Sequence, residues 1–141
     1  MAEDVSVVRL YVMRGLYGLN FLLLGSDVWP RLLTQQETWD PVHGAAYSFW
    51  GALSILSALG LRYPMQMLPL LLLQFVYKLI WLAAVGPSLW AAGRSTGMTE
   101  AFAVGIVLDI IAIPWLYVVA YYIKRRGDRW KQVSDATKPA T

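Results

Sequence analysis

Residues 73–82 read LQFVYKLIWL, so that Gln74 and Lys78 stand inside a run that is otherwise apolar. A helix at a protein surface would show one apolar face, whereas this stretch is apolar nearly all round. It belongs to a longer run, from about Met65 to Val85, which matches the roughly 20 residues a helix needs to cross about 30 Å of hydrocarbon. An isolated charge at that depth costs at least ~2.5 kcal/mol, and such groups turn inward and pair. The stretch therefore predicts a membrane helix and demands a counter-charge on another one.

Three more runs of that kind lie in the chain, from about Val7 to Val28, Gly44 to Leu61 and Ala101 to Ile123. The fold expected is an all-α, integral membrane four-helix bundle occupying residues 1–123, followed by a basic cytoplasmic tail over residues 124–141. The first span is expected to end at Trp29 and Pro30. Arg62, Tyr63 and Pro64 form a turn so short that the second and third helices must be antiparallel neighbours. TQQETWDPVHG and GPSLWAAGRSTGMT read as loops rich in turn formers. Thr99 and Glu100 are expected to cap the fourth span, and Pro114 to kink it by freeing the carbonyl of Ile110. Pro69, in the first turn of the third span, does little harm.

Composition agrees with this class. Of 141 residues, 57% are hydrophobic and 15% charged, against about 25% charged in soluble domains. Tryptophan and tyrosine recur near the ends of the apolar runs, where amphipathic rings sit at headgroup depth. The opening MAEDVSVVR lacks the basic start and small-residue cleavage site of a secretory signal, so the first helix is read as retained. Arg9, Arg62 and the terminal cluster fall on one side, Arg31 and Arg94 on the other, which places both termini in the cytoplasm. The cluster itself, Lys124, Arg125, Arg126, Arg129 and Lys131, reads as juxtamembrane charge facing anionic lipid rather than nucleic acid.

Counting inward from the outer helix ends, Lys78 lies about eight residues deep and Asp109 about nine, so at ~1.5 Å per residue the two are level. Asn20 reaches the same depth. The expected site is a Lys78–Asp109 ion pair whose remaining hydrogen bonds go to Asn20, Gln74 and Ser54, with Trp50 and Trp81 as apolar walls. Gln74, Lys78 and Trp81 share one helical face. A paired lysine and aspartate can serve only to fix helix register, but ionisable residues inside membranes mark ligand, ion or proton sites often enough to count as functional candidates. Arg14, about a turn and a half from the cytoplasmic boundary, is expected to snorkel toward lipid phosphates. Gly51, Ser54 and Ala58, and Gly18 with Gly25, are packing seams.

Several chemistries find no residues. The chain has no cysteine and one histidine, His43, so thiolate, iron–sulfur and bis-histidine haem ligation cannot be built within it. No phosphate loop, serine elbow or HExxH pair is present, and no catalytic or metal-binding residue is assigned. Glu37, Asp40 and His43 are read as a solvated outer loop.

Arg14 and Gly15 followed by Gly18, and the ALGLRYP with which the second span ends (Ala58 to Pro64), resemble the DoxX-like group of small bacterial four-helix membrane proteins. GSDVWP at the end of the first span departs from that group's glycine-then-lysine pattern. The resemblance implies a subunit of the bacterial inner membrane, often discussed beside quinone-linked oxidoreductases, and carries over no catalytic residue. The reading at this point is a protein that binds a small hydrophobic or amphipathic ligand, quinone or lipid among them, or a partner's transmembrane helices. An accessory subunit of an electron-transfer or photosynthetic complex and a proton-coupled transporter titrating at Asp109 are the alternatives. Self-association is expected of so small a bundle.

Overall fold

In a computed structural model that describes residues 5–34, 38–94 and 96–127, all regular structure is helical. Glu37, Arg129 and Lys131, and with them most of the tail, lie outside the described residues. The first helix, α1, runs over Val7–Thr34 and contains a widened, π-type turn at Asn20–Leu24. Ser6 caps it, its hydroxyl accepting from the Arg9 amide at 3.3 Å. α1 does not stop at Trp29 and Pro30. Pro30 removes the bond to the Ser26 carbonyl, but both residues are exposed, so the freed carbonyl lies on the surface and the helix continues.

α2 spans Pro41–Arg62, with Pro41 at its first position and the Asp40 carboxylate accepting from the amides of Val42 and His43. Asp40 and His43 are thus a helix start and not a free loop, because an aspartate before a proline satisfies the orphan amides of a first turn. The next helix, α3, spans Leu68–Ala91 and starts three residues later than Met65. Pro69 has no amide to offer the Met65 carbonyl, which is taken instead by Leu68 in a tighter turn. At its other end α3 absorbs Gly86 to Ala91, the first part of what reads as a loop. Gly93, with φ +65°, ends it, and the Arg94 amide donates back to the Leu89 carbonyl. That 6→1 bond around a left-handed glycine is the Schellman arrangement.

α4, Gly97–Ala112, begins after Thr96, two residues before the expected cap, and places Glu100 in its first turn. It breaks at Ile113 and Pro114, and α5, Trp115–Lys124, leaves at 74° to it. Both carbonyls exposed by the break are used. The Trp115 indole donates to Ile110 at 2.9 Å, and Arg9 of α1 donates to Ile113 at 2.9 Å.

Three helices are long and apolar enough to cross a membrane, and α4 with α5 makes a fourth if the bent pair is one span. The interior gathers at the end of the bundle where α1 begins, around Met13, Tyr17, Leu68, Leu71 and Ile113, all fully buried. Outward faces are apolar too: Val8, Leu22, Ile80 and Leu116 are each more than 60% exposed. A protein bathed in water rarely leaves so much apolar surface uncovered.

The two segments that carry the resemblance meet at that same end. Arg14 Nε donates to the Leu61 carbonyl at 3.1 Å, and the buried Tyr17 hydroxyl donates to the Pro64 carbonyl at 2.9 Å. Gly18 faces the Leu61 side chain, and the Tyr17 ring lies flat against Gly60.

Candidate functional site

Gln74 and Lys78 sit one turn apart on α3 and point the same way, as i and i+4 positions do. Asp109, on α4, is fully buried opposite them. Lys78 Nζ donates to Asp109 Oδ2 at 3.1 Å, and Gln74 Nε2 donates to Asp109 Oδ1. Asn20, at the first residue of the widened turn in α1, donates through Nδ2 to Gln74 Oε1. Three helices are thereby joined by one chain of polar contacts, in which both carboxylate oxygens are engaged. No buried side-chain nitrogen or oxygen among the described residues lacks a partner. A carboxylate held this way avoids the cost of several kcal/mol that an unpaired buried charge incurs.

Room for the lysine comes from a glycine. A Cβ on Gly105 would stand 2.8 Å from Lys78 Nζ and 3.1 Å from its Cε, so the butylammonium chain lies directly across the α4 backbone. Asn20, Gln74, Lys78 and Gly105 together line a groove of about 300 Å³ that opens between α1 and α4, with Leu19 and Leu108 on its outer edges.

Ser54 is not part of this layer. Its hydroxyl donates to the Gly51 carbonyl and accepts from the Trp29 indole at 2.9 Å, because Gly25 and Gly51 let α1 and α2 approach closely enough for Trp29 to reach across. Trp50 and Trp81 are also set apart. They line a second, larger cavity of about 500 Å³ toward the start of α2, with Tyr47, Tyr77, Phe102 and His43. Its walls are edge-to-face aromatic pairs: Tyr47 with Trp50 at 5.2 Å, Phe49 with Tyr77 at 5.3 Å, and Trp81 with Phe102 at 5.0 Å between centroids. His43 stacks on Tyr47 at 4.9 Å. Tyr77 and Phe102 line both cavities and form the partition between them.

The residues expected at one site are therefore divided between two adjoining cavities, a polar groove and an aromatic chamber. Of the residues expected at headgroups, Arg14 spends one donor on Leu61 and lies 5.5 Å from the Tyr11 ring centroid. Lys124, Arg125 and Arg126 are exposed at the end of α5, with Arg125 over the Tyr121 ring at 5.0 Å. Sequence reasoning misses Gly105 and Arg9. The signal for the first is a glycine four residues before a buried aspartate, one turn away on the same face. Among the described residues no group of three or more histidine, aspartate or glutamate side chains is placed to hold a metal ion. Compared with family models, with curated proteins and with solved structures, the chain matches none.

Proposed function

We propose that this chain is a multi-pass protein of the bacterial inner membrane that binds a small hydrophobic or amphipathic molecule in the groove between α1, α3 and α4. The observation that carries the reading is the chain Asn20–Gln74–Asp109–Lys78, which ties three helices together and brings Asn20, Gln74 and Lys78 to one 300 Å³ opening on an apolar surface. Small-ligand sites take this form, an apolar recess with a few convergent polar groups. Both termini are cytoplasmic in this reading, since Arg9, Arg62 and Lys124 to Arg126 gather at one end of the bundle. The DoxX-like resemblance belongs to the same proposal. The joint that Arg14 and Tyr17 make with Leu61 and Pro64 gives its residues a packing role at the cytoplasmic end, away from the groove.

Partner helices compete for the same opening, because Leu19, Leu23 and Leu108 around it are exposed. Native mass spectrometry of the gently extracted protein separates the two occupants. A small molecule retained by the wild type and lost from Lys78→Met supports the ligand reading. A wild-type chain that carries only larger proteins, or nothing after exposure to membrane extract, overturns it.

A further inference from the structure

Lys78 has hydrogen-bonding capacity that the protein leaves unused. The ammonium carries three N–H donors, and Asp109 takes one; among the described residues no other group accepts from Lys78, although its residue is only 8% exposed. Lys78 lines the groove. Spare ammonium donors facing a recess without an acceptor are costly in an apolar medium, so the geometry points to a ligand oxygen as their partner.

Charge decides which kind of oxygen. The Lys78 ammonium and the Asp109 carboxylate already cancel, so a carboxylate or phosphate head would bring a net negative charge into the groove, at least ~2.5 kcal/mol against it near the bilayer centre. A neutral carbonyl oxygen accepts from a spare Lys78 donor and leaves the balance at zero. Depth decides the source. Lys78 lies ten positions from Leu68 and thirteen from Ala91 along α3, which at ~1.5 Å per residue is ~15 Å and ~20 Å from its ends. The ester carbonyls of upright phospholipids lie nearer the surface than that. Resting on the ligand reading above, the inference is that the groove takes a free, neutral amphiphile with a carbonyl head, its chain lying along Leu19, Leu23 and Leu108.

The test uses the full chain in vesicles of an ether-linked phosphatidylcholine, which contains no carbonyl. Binding of 2-heptadecanone, 13C-labelled at its carbonyl, is compared with binding of heptadecane and palmitate, and the carbonyl stretch is followed by infrared spectroscopy. The ketone is expected to bind about tenfold more tightly than the hydrocarbon, as one hydrogen bond from a charged donor implies, with its stretch shifted down. Lys78→Met combined with Asp109→Leu keeps the core filled without charge, and in that variant the tenfold difference disappears. Ketone and hydrocarbon binding alike to the wild type, or an unshifted stretch, overturns the inference. So does displacement of the ketone by ester-linked phosphatidylcholine, which assigns the site to bulk lipid. Palmitate binding most tightly overturns the neutral head while the ligand reading stands; no binding of any of the three removes both.

Discussion

At the scale of single residues, the pairing of Lys78 with Asp109 follows from the cost of leaving either alone. Lys78→Met is expected to destabilise the protein by about 3 kcal/mol, and adding Asp109→Leu to restore most of that loss, because an uncharged pair removes the orphaned carboxylate. Thermal unfolding in detergent micelles checks this; a double variant less stable than Lys78→Met counts against it. The polar layer was legible because a charge in an apolar run has few options, and the same logic carried Asn20 and Gln74 to it. Ser54 was not legible as Trp29's partner, since only the close approach allowed by Gly25 and Gly51 brings an indole across. Glycines show the same limit. A Cβ on Gly60 would lie 2.3 Å from the buried Tyr17 ring, whereas one on Gly15 would meet nothing within 4 Å. Gly60→Ala should cost about 2–3 kcal/mol, in the upper range of overpacking, and Gly15→Ala should be neutral or stabilising by up to ~1 kcal/mol. Equal melting temperatures for the two variants would show that the Tyr17–Gly60 joint does not constrain the bundle.

Among the elements, the four apolar runs and the break at Pro114 were readable from length, apolarity and the missing amide. The size of the break was not. Proline alone frees one carbonyl, but here Ile113 is extended as well, with ψ 126°, and its carbonyl is held by Arg9. That bond ties the end of α4 to the first turns of α1. Leaving at 74°, the ten positions of α5 advance only ~4 Å along the axis of α4, where a straight helix would advance ~15 Å. With α1 in the orientation proposed, α5 is expected to run along the inner interface, since Val118 is buried against the bundle while Leu116, Ile123 and Lys124 to Arg126 are exposed. Because the chain has no cysteine, a series of single cysteines from 116 to 124 can carry a spin label without background. Because Val119–Lys124 forms widened, π-type turns, depths measured by paramagnetic relaxation are expected to oscillate about a constant mean with a period of about four residues or slightly more. A steady change of ~1.5 Å per residue would make α5 the continuation of a straight span.

For the whole molecule, the short turn after α2 makes α2 and α3 neighbours, yet they pack more sparsely than α1 with α2, α3 with α4 or α1 with α4. α1 packs along α2 and α3 along α4, while α1 meets α4 more sparsely. Large rings account for the gap between α2 and α3: Phe49 and Trp50 on one side and Tyr77 and Trp81 on the other hold the backbones apart around the aromatic chamber, which no count of loop residues could foretell. The bundle is thus two tight helix pairs, and across the middle of their seam runs the contact of Asn20 with Gln74. Gln74 serves both sides, accepting from α1 and donating to α4. Gln74→Leu removes that link while Lys78 still neutralises Asp109, so the variant should fold but hold its pairs less firmly. Spin labels at Leu19 on α1 and Leu108 on α4, both exposed positions flanking the groove, should give a broader and longer distance distribution in Gln74→Leu than in the wild type. Labels at Leu22 and Ile55, within the α1–α2 pair, should not change. A distribution between Leu19 and Leu108 that stays as narrow as in the wild type would show that apolar packing at the buried end alone holds the two pairs together, and would leave the polar chain as a feature of the groove only.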